Sequence, residues 1–225
     1  MRILGIETST LRGSVALVED DRTVAAADHS EPNAHAERIL PLFDRLIVES
    51  GWAKASLDRI AVGIGPGSFT GLRVGIALAQ GIALGLERPV FGVGSLEAMA
   101  RGAPAHVPGL RCPVIDARRG ELFLAVYDAS GAEHAAPLVI ATDAAAKTLD
   151  ELCTGAPKIL LGQAALALAA DVFRSEHTDL PHAVWIARTA AEMPESAAGA
   201  VPLYVRGPGV VLPDLPPSPL DDNDV

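Results

Sequence analysis

The spacing of apolar positions in the first hundred residues predicts strands and helices in a definite order. Apolar runs and alternation predict strands at 2–7, 14–18, 23–28, 59–64 and 89–93, and helical spacing predicts helices around 39–47, over 72–86 and from residue 95. Asn33 is a candidate N-cap of the first helix, and Gly51 ends it. Pro41 either lies in the first turn of this helix or kinks it.

The second half of the chain repeats this order more loosely. Strands are predicted at 113–116, 121–127, 133–140 and 158–161, and helices at 142–152 and 164–173. Two successive units of three strands, helix, strand and helix predict an α/β protein with two ribonuclease-H-like halves, as in the actin and sugar-kinase (ASKHA) class. We assign residues 1–103 to the first half and 104–206 to the smaller second half. Residues 207–225, rich in Pro and Asp, are predicted to be a flexible tail.

The second predicted helix is apolar on every side. Leu72, Ile76, Ala79 and Ala83 form one stripe, while valine, leucine, isoleucine and glycine fill the opposite side. A helix that is apolar all round has to be covered on both sides. Either the first helix of the same chain completes this cover, or the two helices together present an apolar face to a partner.

Composition narrows the class of protein. The chain is 49% hydrophobic with a net charge of −10, which excludes disorder throughout and makes it a poor nucleic-acid binder by itself. Two cysteines without CxxC spacing argue against a disulfide scaffold. Glu7 interrupts the first apolar run too early for a signal peptide, and the uncharged stretch 74–86 is too short to span a bilayer. We expect a cytoplasmic protein without a membrane anchor.

The first predicted strand of each half ends in one acidic residue. Glu7 and Asp116 occupy positions where actin-like proteins hold Mg²⁺ and nucleotide phosphates, and Arg118 follows closely. The glycine-rich stretch 63–73 lacks both the P-loop lysine and the GxGxxG spacing, and is equally typical of a tight structural turn. The sequence therefore predicts a degenerate nucleotide site at Glu7, Asp116 and Arg118. The alternative is an active ATP-dependent phosphotransferase that uses Glu7 and Asp116.

Motifs for metal or nucleophile chemistry are missing from the sequence. The patterns HExxH, HxxxH and GxSxG are all absent. The six histidines show no ligand spacing. We assign no catalytic residue and no metal ligand.

Eight short motifs together resemble the TsaB (YeaZ) family, over residues 1–206 and in the expected order. They are RILGIETST at 2–10, HS at 29–30, LPL at 40–42, GPGSFTGLR at 65–73, SLE at 95–97, DAR at 116–118, GE at 120–121 and PLYVR at 202–206. GPGSFTGLR is the most specific of them. The chain departs from the family in having Glu7 where Asp is common, in lacking Gly-x-Gly character at 161–170, and in its Pro/Asp tail.

The resemblance implies a noncatalytic scaffold subunit in the biosynthesis of tRNA threonylcarbamoyladenosine, beside the anticodon. It implies pairing with the catalytic paralogue TsaD through the first two helices, association with the ATPase TsaE, a homodimer when alone, and contact with tRNA only through the complex. It implies no required cofactor, with ATP or ADP at a subunit interface as a candidate. Carried onto this sequence, the expected partner interface is Leu42, Phe43, Leu46, Ile47, Leu72, Ile76, Ala79 and Ala83.

Overall fold

Two β-sheets of similar connectivity make up the chain in this computed structural model, which describes residues 1–205. The first contains β1 (Arg2–Glu7), β2 (Gly13–Glu19), β3 (Arg22–His29), β4 (Arg59–Gly65) and β5 (Val90–Gly94), in the order β3-β2-β1-β4-β5. The second contains β6 (Leu110–Arg118), β7 (Glu121–Tyr127), β8 (Glu133–Ala141) and β9 (Lys158–Leu161), in the order β8-β7-β6-β9. In each sheet a three-stranded antiparallel meander is extended by a parallel strand, as the sequence predicted.

Five α-helices accompany the sheets. They are α1 (His35–Ser50), α2 (Phe69–Leu86), α3 (Ser95–Arg101), α4 (Thr142–Leu152) and α5 (Ala183–Glu192). The helix α1 runs through Pro41 without a break and begins after Ala34, so that Asn33 is not its N-cap. The helix α2 begins three residues earlier than predicted, because the Ser68 hydroxyl accepts a hydrogen bond from the Gly71 N–H at 3.3 Å.

The helices α1 and α2 cover one face of the first sheet. Phe43 and Leu46 from α1 and Ile76 from α2 pack against strand residues such as Leu4 and Ile6 in one apolar cluster. Each fully buried side chain of this size contributes about 1.5–3 kcal/mol relative to an exposed one. The inward stripes of the two helices therefore belong to the main core of the first half.

The opposite face of the first sheet is covered by α5, a helix that the sequence analysis did not predict. Ile186, Ala187 and Ala190 pack against Ile3 and Phe91. A Cβ atom at Gly5 would collide with the main-chain oxygen of Ala183, so glycine is needed where α5 crosses β1. The assignment of all of 104–206 to the second half is therefore corrected, because α5 returns to the first sheet.

The predicted helix at 164–173 is also wrong. Only a short 3₁₀ turn, Gln163–Ala167, forms there. Phe173 instead lies in extended pairing beside β9, where its N–H donates to the Leu160 carbonyl at 2.9 Å. Because Phe173 pairs in an extended conformation, the predicted helix does not continue to residue 173.

One further element bears on the membrane question. Within residues 1–205, α2 alone is long and apolar enough by length and composition to cross a bilayer. It packs on β4 and also contacts β1 and β5, so that one side of it belongs to the core of the first half. The predicted tail, residues 207–225, lies outside the described residues.

Candidate functional site

The residues predicted to contact a partner lie mostly in the core. Leu42 is half-buried and packs against the core, and the other seven side chains are between 0% and 7% exposed: Phe43, Leu46, Ile47, Leu72, Ile76, Ala79 and Ala83. Apolar stripes at helical spacing mark the side of a helix that is removed from water, and here the sheet of the same chain removes them. The assignment of these seven side chains to a partner surface is therefore wrong.

The opposite side of α2 is uncovered and apolar. Ala77, Gly81, Leu84 and Gly85 are exposed, and Leu84 retains 82% of its accessible surface. No charged residue occurs between Arg73 and Glu87. A Cβ atom at Gly81 or Gly85 would meet no atom within 4 Å, so this side of the helix is open to the backbone of another element.

The neighbouring helix α1 adds to this surface. Leu40 is 41% exposed and Val48 is 79% exposed, and α1 contacts α2 directly. We call the exposed residues Leu40, Val48, Ala77, Gly81, Leu84 and Gly85 the outer helix face. On α1 the exposed Asp44 lies between Leu40 and Val48, so the larger apolar part of this face is on α2. Exposed apolar side chains grouped on one side of a helix are typical of a site of protein association.

A second candidate site is the cleft between the two halves, with a volume of about 1620 Å³. Its walls are the turn after β1, the loop into α2, the turn after β6, the 3₁₀ turn and the segment 203–205. Four arginines line it: Arg73, Arg118, Arg119 and Arg174. Ser9 also lies in this lining and is buried.

The structure does not bring the three predicted nucleotide-site residues together. Asp116 lines the cleft and accepts a hydrogen bond from the Arg118 N–H at 2.8 Å, with the Arg118 guanidinium 3.3 Å from its carboxylate. Glu7 is fully buried instead, and its carboxylate oxygens accept from the Ser9 N–H at 2.5 Å and the Ser95 hydroxyl at 2.9 Å. Burial raises the pKa of Glu7 above its ordinary value. The assignment of Glu7 to a nucleotide site is therefore corrected: it connects the turn after β1 to the start of α3.

We expect Glu7→Ala to lower the free energy of unfolding by about 2 kcal/mol or more, because two buried donors lose their acceptor. Glu7→Gln keeps an acceptor for the Ser9 N–H, and its amide can donate to the Ser95 hydroxyl, so a loss of about 1 kcal/mol or less is expected. Urea denaturation of the three chains measures both values. Equal stability of Glu7→Ala and the unmodified chain would show that this carboxylate has no structural role.

An exposed aromatic pair at the mouth of the cleft was missed by the sequence analysis. Phe69 and Tyr204 lie with ring centroids 5.2 Å apart, and the Arg73 guanidinium lies 3.7 Å from the Phe69 centroid. Phe69 and Tyr204 are about half exposed, at 50% and 46%. The two residues are separated by 135 positions in sequence, so that no local pattern joins them.

One cluster within residues 1–205 has metal-ligand spacing, formed by Glu176, His177 and His182. The His182 Nδ1 accepts the Val184 N–H at 3.2 Å and caps α5, so the proton of its neutral ring sits on Nε2. That ring has no lone pair left for a cation. The guanidinium of Arg12 lies beside the cluster, bonded to the Glu176 carbonyl at 2.7 Å, and would repel a metal ion. His182 therefore acts as the N-cap of α5, and Arg12 links the segment that contains Glu176 to the turn after β1.

The buried imidazole of His182 gives a test by pH. Burial, with Arg12 and His177 nearby, lowers its pKa to about 3. As the pH falls, His182 takes up a proton in the unfolded state at a higher pH than in the folded state. The stability that neutral His182 contributes is therefore present above about pH 6.5. It is lost as the pH falls towards 3, by about 1.4 kcal/mol per pH unit. When the pH falls from 7 to 5, the free energy of unfolding is expected to decrease by about 2 kcal/mol less in His182→Asn than in the unmodified chain. Asparagine keeps a side-chain oxygen that can cap the helix. Urea denaturation at the two pH values measures this difference. Parallel pH profiles of the two chains would contradict this.

Comparison with known proteins identifies similar chains. The family model of the tRNA N6-adenosine threonylcarbamoyltransferase TsaD matches residues 29–193. The tRNA threonylcarbamoyladenosine biosynthesis protein TsaB of Escherichia coli (strain K12) is 45% identical over 137 residues, which span 60% of this chain and 59% of that relative. The aligned stretch thus spans little more than half of that relative's length.

Solved structures agree over a longer stretch. YeaZ from Pseudomonas aeruginosa superposes with a TM-score of 0.72 and 28% identity, over 90% of this chain and 99% of its own. The ethanolamine utilization protein EutJ from Carboxydothermus hydrogenoformans, 14% identical, superposes with a TM-score of 0.56 over 84% of this chain and 90% of its own, and supports the fold alone. The predicted α/β fold of two ribonuclease-H-like halves, of the ASKHA class, is confirmed.

Proposed function

We propose, because this chain belongs to the TsaD protein family and within it to the TsaB/YeaZ group, that it is a noncatalytic subunit in tRNA threonylcarbamoyladenosine biosynthesis. In this role it pairs with the catalytic paralogue TsaD and activates it for modification of the adenosine next to the anticodon. The ATPase TsaE joins the same assembly, and the tRNA is contacted through the complex. The chain is a homodimer when TsaD is absent.

The observation that carries this proposal is the outer helix face. Helix α2 buries one stripe on its own sheet, yet its other side remains uncharged and exposed, and it is apolar apart from Gln80. Water contact with such a face is unfavourable, at about 25 cal/mol for each Å² of apolar surface. A partner helix that packs on Gly81 and Gly85 removes this surface from water and approaches closely, because neither glycine carries a side chain.

A single face serves both homodimer and heterodimer in this proposal. Two copies that use the same patch form a closed twofold pair, and a paralogue with a similar helix pair replaces one copy. The two states then compete by mass action, and the tighter partner prevails when both proteins are present. A stable contact of standard size is expected to bury roughly 800 Å² on each protein.

The buried position of Glu7 supports a noncatalytic role and argues against the phosphotransferase alternative. A carboxylate that is 0% exposed and engaged by Ser9 and Ser95 does not reach a nucleotide in the cleft. Asp116 is left with Arg118 as its ion-pair partner. We propose that the chain needs no cofactor of its own, and that ATP or ADP, where bound, lies at a subunit interface.

Reconstitution of the transfer reaction tests the proposed function. TsaD and TsaE from the same genome, supplied with threonylcarbamoyl adenylate, ATP and tRNA, are expected to modify tRNA only when this chain is added. The chain alone is expected to turn over no Mg-ATP, and Asp116→Ala is expected to leave tRNA modification unchanged. Full modification without this chain, or saturable Mg-ATP turnover by it that Asp116→Ala abolishes, would contradict the proposal.

A further inference from the structure

A smaller pocket opens between the halves, apart from the cleft that the four arginines line. Its volume is about 540 Å³, which is typical of a site for a small molecule. Its walls are β5, the first turn of α3, the end of β7 with the turn that follows it, and the start of β8. We call it the acidic pocket, and its lining includes Ile64, Glu97, Tyr127, Glu133 and Leu203.

The lining of the acidic pocket carries negative charge. Glu97 and Glu133 belong to it, and no lysine or arginine within residues 1–205 lines it. The Arg101 guanidinium donates to Glu97 at 3.1 Å, but it also donates to Glu192 at 2.8 Å, so that one cation is shared between two carboxylates. Glu133 has no ion-pair partner in the part of the chain that the structure describes. The uncompensated charge favours a cationic occupant.

The hydroxyl group of Tyr127 faces the same pocket without a partner. Tyr127 belongs to the apolar cluster that contains Leu96 and Met99, and only 4% of the residue is exposed. Its hydroxyl makes no hydrogen bond within residues 1–205. Burial, with the carboxylates of Glu97 and Glu133 nearby, raises the pKa of Tyr127, so the phenol oxygen lies close to both acids. A buried hydroxyl that has given up water is unfavourable until a ligand bonds to it.

The composition of the lining suits an organic cation better than a metal ion. Mg²⁺ and Ca²⁺ take about six or more oxygen ligands, whereas three side chains in this lining carry oxygen and one of them, Glu97, is already bonded to Arg101. The rest of the lining is apolar or glycine, including Ile64, Pro137 and Leu203. A primary ammonium group donates three hydrogen bonds, which matches the three oxygen-bearing side chains, and an aliphatic chain suits the apolar walls.

We propose that the acidic pocket is a binding site for a small aliphatic amine. The ammonium group donates to Glu97, Glu133 and the Tyr127 hydroxyl, and the carbon chain packs on the apolar lining. The ligand connects the two halves, because Glu97 lies on α3, directly after the first sheet, whereas Tyr127 and Glu133 lie on strands of the second sheet. The site is independent of the proposed pairing with TsaD, because the acidic pocket and the outer helix face share no residue.

Isothermal titration calorimetry of the full-length chain with n-butylamine, at constant ionic strength, tests the site. Saturable binding of one molecule per chain is expected, with no binding of 1-butanol, which has the same carbon chain without the charge. Glu133→Gln is expected to weaken the binding of n-butylamine at least about tenfold, because the ammonium group loses a charged acceptor. Tyr127→Phe removes only the hydroxyl and is expected to weaken binding about threefold or more.

Glu37→Gln is the control for loss of the same charge elsewhere. Glu37 is exposed on α1 and does not line the acidic pocket, so this variant is expected to bind n-butylamine within about twofold of the unmodified chain. Equal affinities of Glu37→Gln and Glu133→Gln would overturn the site, as would the absence of saturable binding by a chain that circular dichroism shows to be folded. Displacement of n-butylamine by an equal concentration of Mg²⁺ would overturn the assignment to an amine.

Discussion

Replacing Gly81 by glutamate is expected to abolish pairing with TsaD while leaving the fold at least as stable as before. Glycine inside a helix costs about 0.5–1 kcal/mol relative to a good helix former, so the change favours α2. A Cβ atom at this position meets no atom within 4 Å, so the free chain accommodates it. In the pair, however, the carboxylate would be buried without a partner, at a cost of several kcal/mol, which is about 100-fold or more in dissociation constant.

The matched control is Gly81→Ala, which adds a methyl group without charge. It is expected to stabilise the chain to a similar extent and to retain pairing within about tenfold. Leu166→Asp, on the second half and away from the outer helix face, is expected to pair like the unmodified chain. Analytical ultracentrifugation with TsaD measures all three dissociation constants. A Gly81→Glu chain that pairs normally would show that the interface lies elsewhere.

Replacing Leu46 by aspartate is expected to unfold the first half, in contrast to the surface change at Gly81. Leu46 is 1% exposed and packs in the cluster between α1, α2 and the first sheet. The aspartate loses the buried leucine contacts and places a carboxylate in an apolar core, which costs more than about 4 kcal/mol, a large part of the stability of a typical domain. Thermal denaturation and the yield of soluble protein measure this effect.

Val48→Asp provides the comparison on the same helix, two residues further along the chain from Leu46. Val48 is 79% exposed, so this chain is expected to unfold within about 0.5 kcal/mol of the unmodified one. A soluble, cooperatively folded Leu46→Asp chain that fails only in pairing would contradict the burial described above and would restore Leu46 to the partner surface.

The fold was predictable where local spacing and tertiary environment agree. The meanders, α1 and α4 follow from apolar periodicity, and the repeated order of elements predicted the two halves. The helix α5 was missed although Ala183, Ile186, Ala187 and Ala190 recur at helical spacing and alanine is a strong helix former. What no local pattern predicts is that α5 covers a sheet that lies far earlier in the sequence. The failed helix at 164–173 has the reverse cause, since Phe173 pairs with the end of β9.

The sequence predicted which helices form the candidate partner surface, but not which side of each helix is exposed. Periodicity identifies Leu46 and Ile76 as one stripe each, and the same pattern fits a core or an interface. Only the position of the sheet decides between them. The same reason explains Glu7: its place at the end of β1 was predicted correctly, yet its burial against Ser9 and Ser95 depends on α3, 88 residues away.

Light scattering coupled to size-exclusion chromatography tests the central claim most directly. The 23.3 kDa chain is measured alone, then mixed in equal amounts with TsaD from the same genome. The account predicts a homodimer that gives way to a complex with the mass of one copy of each protein, and no such complex for Gly81→Glu. Two folded proteins that elute separately, each at its own mass, would contradict the claim that this chain is the pairing subunit of TsaD.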